Sequence, residues 1–371
     1  MKRSLIIVFV FFALTYFCSG QKLTFSPMIQ SSEDTSVQAI AQLWEDYIKQ
    51  LWKDFVSVIH GNPSSDSMQK SFWHNGSEDM MKGRPPMPFY LFSDILTFKI
   101  RKYSDIIYEI HSMQQRYDLQ EETISETPLI FYIYKTGAIQ TEEGFKLMNW
   151  FDIYKSSLQN YTSENIEYYY PCGFDFDMKK VEHAEKFIQQ FRKNYNLKKT
   201  DKKIIYIIGN NYSESNYFMG FDFTAFSSEK KHAAYCLFPR TVLACFEDHI
   251  HELVHALMYS EYPDALGILN EGIATYYGGV SNMDYILHRS AFKKYIRENP
   301  IDFLDTSLFY NRVGEENVSL LYVLGGLIIE YALKNHGTDK VIELFSCKEY
   351  QEIYTKLGIT SQELVDFLLN N

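Results

Sequence analysis

The chain has few cysteines and no long apolar run after its first twenty positions. Five cysteines occur in 371 residues and none belongs to a C-x-x-C pair, which excludes a cysteine-rich zinc knuckle. No later stretch is apolar enough to cross a bilayer. The charge balance is acidic, with 36 Lys and Arg against 47 Asp and Glu. Because no basic stripe interrupts this balance, nucleic-acid binding finds no support.

The first twenty residues have the composition of a secretory signal peptide. Lys2 and Arg3 form a charged start, residues 5–17 are mostly apolar, and residues 18–20 (C-S-G) resemble a small-residue cleavage site. We therefore expect the mature protein to be secreted or periplasmic. An alternative interpretation uses Cys18 as a lipid anchor, but the bulky Phe17 before it argues against that role.

Four cysteines follow this N-terminal segment: Cys172, Cys236, Cys245 and Cys347. In an oxidising compartment they could form one or two disulfides, and Cys236 and Cys245 are the closest pair in sequence. Buried free thiols are an equally good interpretation. The spacing does not decide between these alternatives.

Residues 21–172 are predicted to form a separate N-terminal α+β domain. Apolar residues spaced by three and four between Leu43 and Ile59 predict a helix that begins near residues 32–35. A loop is predicted at residues 83–88 (G-R-P-P-M-P). Five segments rich in β-forming residues predict a curved antiparallel sheet packed on the helix. These segments are residues 95–102, 106–113, 129–135, 145–153 and 166–170. No catalytic group of residues is recognisable in this domain.

Residues 173–371 are predicted to form a second domain with a small sheet and a mostly helical C-terminal half. The continuous apolar run at residues 204–208 predicts a buried strand. The other predicted elements are a helix at residues 175–196, strands at 233–238 and 241–245, and helices at 320–334, 340–345 and 350–357. Thr360 or Ser361 is expected to cap a last helix.

A metal-binding pattern lies at residues 251–255, H-E-L-V-H. Residues four apart share one face of a helix, so His251 and His255 can direct their imidazoles at one metal ion. Glu252 lies beside that face, where its carboxylate can accept a proton from water at the metal. His249 lies on another face, and we expect it to be a capping or partner residue.

A second segment, residues 270–274 (N-E-G-I-A), makes the chain resemble the gluzincins, the thermolysin- and aminopeptidase-like zinc peptidases. In that family the Glu of an N-E-G-x-A segment is the third zinc ligand, which implies that role for Glu271. Thermolysin-like enzymes often carry an Asp four residues after this Glu as the partner of a ligand histidine. Thr275 stands there in this chain, so another acceptor must orient His251 or His255.

The resemblance covers roughly residues 175–371 and includes a helix of the form Y-x-x-x-G-x-x-x-x-Y that begins at Tyr322. Related enzymes use a downstream Tyr or His to donate a hydrogen bond to the oxyanion of the reaction. The match implies this role for Tyr322. In the gluzincin fold an edge strand beside the metal binds an extended substrate, and residues 233–245 are the candidates for that strand.

Three protein ligands and an open position are typical of catalytic zinc, whereas structural zinc is closed by four ligands. The expected protein is therefore an exported zinc-dependent peptidase that acts on a peptide or protein. No G-x-M-E-N segment of the aminopeptidase type is present, which favours an endopeptidase or a highly selective enzyme. Two alternatives remain open: a binding protein that kept the peptidase fold but lost turnover, and a zinc hydrolase that cleaves another bond, such as an ester.

Overall fold

The fold is described from a computed structural model of the chain. It covers residues 22–59, 71–76, 93–116, 129–225, 234–237, 240–280 and 283–371. The predicted signal peptide and the predicted loop at residues 83–88 lie outside these ranges. Within them, no helix has the length and apolar character needed to span a bilayer.

The described residues up to 225 form nine strands and five α-helices. The strands are β1 (Leu23–Phe25), β2 (Asp94–Lys102), β3 (Ile107–Arg116), β4 (Leu129–Thr141), β5 (Gly144–Met148), β6 (Gln159–Thr162), β7 (Ile166–Tyr170), β8 (Ile204–Ile208) and β9 (Phe221–Thr224). The helices are α1 (Pro27–Gln30), α2 (Thr35–Ile59), α3 (Trp150–Tyr154), α4 (Met178–Asn194) and α5 (Tyr212–Phe218).

The described residues from 234 onward are mostly helical. The strands are β10 (Tyr235–Leu237), β11 (Thr241–Ala244), β12 (Arg312–Val313) and β13 (Val318–Ser319). The helices are α6 (Ile250–Glu261), α7 (Gly267–Gly278), α8 (Tyr285–Glu298), α9 (Leu320–His336), α10 (Thr338–Leu344), α11 (Tyr350–Leu357) and α12 (Ser361–Asn370). The described residues form a six-stranded sheet, a five-stranded sheet, a two-stranded sheet of β12 and β13, and many helices, so the protein belongs to the α+β class, as the sequence predicted.

The chain divides into two compact units, each of which is made of two separate segments of the sequence. The first contains the described residues up to Leu158 and those between Ser213 and Ala225. Its sheet has the order β1-β2-β3-β4-β5, and β9 pairs with β4 as well. All pairings are antiparallel except β1 with β2. Because β9 is distant in sequence, the predicted domain plan does not include this insertion.

Helix α2 forms the predicted helical layer of the first unit. Its apolar stripe is buried, with Ile40, Trp44 and Ile48 no more than 2% exposed. The indole N–H of Trp44 donates to Oγ1 of Thr97 on β2, 3.0 Å away. The polar end of a buried tryptophan is thereby satisfied, which fixes the helix on the sheet.

The second unit contains a five-stranded sheet of order β10-β11-β8-β7-β6. Strands β7, β8 and β11 are parallel neighbours, and β6 and β10 are antiparallel to theirs. The apolar run Ile204–Ile208 is the central strand, as predicted, and both of its neighbours cover its edges. Strand β10 ends the described sheet beside the helices of the candidate site.

Two sequence predictions need correction. The segment 145–153 is not one strand, because β5 ends at Met148 and α3 begins at Trp150. The boundary after Cys172 also differs from the division at Gln159. Strand β7 pairs with β8 and so belongs to the second unit. The Pro-Cys-Gly sequence at the predicted boundary is a turn, across which Tyr170 and Phe176 stack with ring centroids 4.3 Å apart.

Candidate metal centre

Helix α6 places the metal-binding pattern in the core of the second unit. All residues from His251 to Met258 are buried. His249 occupies the N-cap position, and its backbone N–H donates to the Tyr206 hydroxyl at 3.0 Å. That hydroxyl in turn donates to the Phe246 carbonyl at 2.8 Å. The start of the helix is therefore fixed to the central strand, and His249 is a capping residue through its backbone.

The structure brings His251, His255 and Glu271 together, as the sequence implied. The two Nε2 atoms of the histidines lie 3.1 Å apart. Oε2 of Glu271, on the neighbouring helix α7, lies 3.3 Å from each of them. In the part of the chain that the structure describes, no other three His, Cys, Asp or Glu side chains converge in this way.

The dimensions of this triangle fit a tetrahedral metal ion. Zinc with bonds of about 2.0–2.1 Å separates its ligand atoms by about 3.3–3.4 Å, close to the 3.1–3.3 Å seen here. Electrostatic repulsion between the ligand atoms supports the same conclusion. The lone pair on Nε2 of His251 and the carboxylate oxygen of Glu271 repel each other at this separation unless a cation or a proton lies between them. His251, His255 and Glu271 are thus suited to hold zinc.

His251 is oriented by a main-chain group. Its Nδ1 lies 2.7 Å from the carbonyl oxygen of Gly279. A carbonyl oxygen only accepts hydrogen bonds, so Nδ1 carries a proton and Nε2 is the ring nitrogen that faces the other two side chains. The Gly279 carbonyl is thus the acceptor that replaces the Asp often found at the position of Thr275 in thermolysin-like enzymes. Sequence reasoning did not identify it.

His255 is positioned by a stacked ring. Tyr259, one turn later on α6, lies parallel to the imidazole, with an angle of 9° between the planes and 5.1 Å between the ring centroids. Nδ1 of His255 is buried and has no hydrogen-bond partner among the described residues. Stacking therefore orients His255, whereas a hydrogen bond orients His251. The i, i+4 spacing from His255 was the sequence signal for Tyr259.

Glu252 lies beside the triangle and is buried, with 6% of the residue exposed. Burial, together with the charge of Glu271, raises its pKa to about 7, while His251 and the main-chain N–H of Cys236 lower it. For Glu271, burial raises the pKa, but the imidazoles of His255 and His251 outweigh it and hold that pKa well below its usual value. The two carboxyl groups have opposite tendencies, so Glu271 is the better ligand and Glu252 the better proton acceptor.

Tyr322 also borders the site. Its ring centroid lies 6.0 Å from that of His251. Burial and the charges of Glu271 and Glu252 raise its pKa, so its hydroxyl keeps its proton at neutral pH. Two tyrosines that follow Glu271 in the sequence bond elsewhere. The hydroxyl of Tyr277 lies 3.0 Å from that of Tyr195, and the hydroxyl of Tyr285 donates to Glu330 at 2.7 Å.

The helices that carry Glu271 and Tyr322 touch through their backbones. A Cβ atom on Gly272 of α7 would lie 2.4 Å from the carbonyl carbon of Gly325 on α9. A Cβ atom on Gly325 would lie 2.3 Å from the carbonyl oxygen of Ile268. Only glycine allows this approach, and it brings Tyr322 and Glu271 to the same site.

Cys172, Cys236, Cys245 and Cys347, the four cysteines that follow the N-terminal segment, are all described, and no disulfide joins any two of them. Cys236 and Cys347 are buried, as in the second of the two interpretations. Cys236 lies on β10, and its hydrogen bond to Glu252 places this strand next to the proposed base.

Comparison with known proteins found no matching protein-family model and no matching curated protein.

Proposed function

We propose that this chain is an exported zinc-dependent peptidase of the gluzincin type. The observation that carries the proposal is the convergence of three ligand atoms, 3.1–3.3 Å apart, beside a buried carboxyl group. His251, His255 and Glu271 would hold the ion, and Glu252 would act next to it. Zinc bound there would supply a Lewis acid that makes water more acidic and polarises a substrate carbonyl.

The chain's own groups provide the rest of the proposed reaction. Glu252, with a pKa of about 7, would accept a proton from the attacking water and pass it to the leaving amine. Tyr322 would donate a hydrogen bond to the oxyanion that forms on the substrate. Strand β10 lies at the end of the described sheet, beside Glu252. It would bind an extended peptide through main-chain hydrogen bonds.

The experiment combines metal analysis with a digest. Purified mature protein is analysed for zinc and incubated with a peptide library, with and without a chelator. We expect about one zinc per chain, and cleavage that the chelator stops and added zinc restores. His255→Ala should lose most of the zinc, whereas His336→Ala, at an exposed position on α9, should keep it.

The outcomes separate the alternatives. Protein that binds no zinc after metal loading overturns the proposal. Stoichiometric zinc without cleavage of any peptide favours the binding protein, or a hydrolase of another bond if simple esters are cleaved. Cleavage that survives both the chelator and His255→Ala would assign the activity to another site or to a contaminant.

A further inference from the structure

The end of helix α7 folds back onto His251. The helix carries Glu271 and ends at Gly278, and Gly279 follows as its C-cap with its N–H bonded to the Thr275 carbonyl at 2.8 Å. Val280 and Met283 then exchange two backbone hydrogen bonds of 2.9 and 3.0 Å. These bonds hold Val280 and Met283 together just beyond the end of the helix.

Two glycines make this return possible. A Cβ atom on Gly278 would lie 2.3 Å from the backbone nitrogen of His251 and 2.6 Å from its Cα. That contact is with helix backbone, which cannot move aside cheaply. Gly279 has φ +68° and ψ −166°, a conformation essentially confined to glycine. Its Cβ would lie 2.3 Å from the carbonyl oxygen of Met283.

The result is that one helix contacts both ring nitrogens of His251. Oε2 of Glu271 lies 3.3 Å from Nε2, and the Gly279 carbonyl oxygen lies 2.7 Å from Nδ1. The ring is thus fixed between a side chain in the middle of α7 and a main-chain group at its end. A carbonyl oxygen accepts a hydrogen bond from Nδ1 but cannot take the proton, so it holds that proton on Nδ1.

We propose that the main-chain carbonyl of Gly279 is the positioning group for His251, and that Gly278 and Gly279 serve to deliver it. In this role the carbonyl replaces the carboxylate that a residue such as Asp at position 275 would provide. The consequence for metal affinity rests on the proposed zinc function, whereas the consequence for the tautomer does not. Hydrogen-bond partners of ligand histidines commonly change metal affinity by about 10–100-fold when they are lost.

The first measurement is the histidine tautomer in full-length protein freed of metal. Protein labelled with ¹⁵N in its histidines is studied by NMR at about pH 8, where a free imidazole is neutral. The spectrum of a His251→Asn variant identifies the signals of His251. We expect Nδ1 of His251 to carry a proton, whether or not Nε2 carries one as well. An Nδ1 without a proton, in all or in part of the protein, would overturn the proposal, whether or not the protein binds zinc.

The second measurement is zinc affinity, by competition with a chelator. Gly278→Ala should bind zinc about 10–100-fold more weakly than wild type and lose the fixed tautomer. Gly267→Ala is the matched control, because it lies at the start of the same helix and its Cβ would meet nothing within 4 Å. Its affinity should stay within about twofold of wild type.

If Gly278→Ala does not fold, the NMR measurement of the proton on Nδ1 of His251 in wild-type protein still tests the proposal. A folded Gly278→Ala protein with the affinity of the Gly267→Ala control would contradict it. Wild-type protein that fails to bind zinc but shows the Nδ1–H tautomer would refute the proposed function and leave the positioning role of Gly279 supported.

Discussion

Glu252 combines burial with a position beside the three proposed ligands, and its role can be tested by a small change in its end group. Glu252→Gln keeps the shape of the side chain but removes the proton acceptor. Turnover should fall by roughly a hundredfold or more, while zinc content stays at the wild-type value because Glu252 is not a ligand. Peptide cleavage and elemental analysis on the same preparations check both expectations.

Glu261→Gln is the control for that change, since Glu261 ends the same helix. It should have wild-type turnover. Activity of Glu252→Gln near that of the control would mean that Glu252 is structural. The pH profile offers a further check. The carboxylate form of Glu252 grows as pH rises through its pKa, so activity should rise with pH in wild type and lose this dependence in Glu252→Gln.

Tyr322 is a hydrogen-bond donor at neutral pH, because its raised pKa keeps the phenol protonated. Tyr322→Phe removes the hydroxyl and leaves the ring beside His251. If the hydroxyl stabilises the oxyanion, the activation barrier should rise by about 3 kcal/mol, with unchanged zinc content and thermal stability. Steady-state kinetics measure the change.

Tyr331→Phe, at the other tyrosine of the same helical motif, is the control for Tyr322→Phe. Its turnover should match wild type. Equal turnover of Tyr322→Phe and this control would remove Tyr322 from the mechanism, and a loss of zinc in Tyr322→Phe would show a structural role instead.

At the scale of elements, a buried carboxylate joins helices α8 and α9. Oε2 of Glu330 accepts from the Tyr285 hydroxyl at 2.7 Å and from Nε of Arg289 at 2.8 Å. Its Oε1 lies 2.8 Å from the Lys334 ammonium. Burial raises the pKa of Glu330, but Lys334, Tyr285 and Arg289 together outweigh it and hold the pKa below its usual value. The ionised form therefore stabilises the contact of the two helices.

Glu330→Gln should lower the free energy of unfolding by on the order of 3 kcal/mol at pH 7. A carboxyl group with a lowered pKa stabilises the fold above its unfolded pKa, and this contribution is lost as pH falls through the folded pKa. The difference in the free energy of unfolding between the variant and wild type should therefore become smaller at acid pH. Urea unfolding at pH 7 and at lower pH tests this, with the exposed Glu298→Gln as control. A gap that stays constant with pH would contradict the ionised role of Glu330.

Elements with a strong local pattern were predicted well from sequence. The apolar spacing of α2 and the continuous run of β8 depend on neighbours in sequence, and both predictions were confirmed. Of the two residues predicted to cap the last helix, Thr360 is the N-cap. The H-E-x-x-H spacing likewise fixed which side chains of α6 share a face. The segment around Trp150 failed because its β-forming residues gave no sign that a short helix would begin there.

The groups missed at the site are those that act across long sequence separations or through the main chain. The Gly279 carbonyl reaches His251 from 28 positions away, and a carbonyl has no sequence signature. Two adjacent glycines are compatible with any turn, so their contact with α6 could not be foreseen. Gly325 indicates that α9 can approach a neighbouring helix closely, but that its partner is Gly272 of α7 depends on tertiary packing.

At the scale of the whole molecule, pairing between distant strands decides where each unit begins. Strand β9 pairs with β4, and β7 pairs with β8. In the first case the segment between Ser213 and Ala225 joins a sheet built from much earlier residues. A division of the sequence at one linker cannot represent two units that each contain two segments. The pattern of a strand specifies which of its faces is buried, but it does not specify which strand it pairs with.

The placement of β7 predicts which fragments of the second unit will fold. Residues Ile166–Tyr169 pair with Ile204–Ile207, and Tyr168 is fully buried. The Tyr168 hydroxyl also donates to the Glu247 carbonyl at 3.2 Å, just before helix α6. A fragment that begins at Asp175 lacks this strand, exposes an apolar edge of β8 and loses the bond next to α6, which carries two of the proposed ligands. One that begins at Gln159 keeps both.

We therefore expect the fragment of residues 159–371 to be more soluble than that of residues 175–371 and to hold more zinc per chain. The comparison uses parallel expression, size-exclusion chromatography and elemental analysis. Because both fragments contain β9, any cost of separating this strand from β4 is common to them, and the difference reports on β6 and β7. A fragment from 175 that is monomeric, unfolds cooperatively and binds zinc as well as the longer one would mean that β7 is dispensable, and the boundary after Cys172 would then be the better description of the domain.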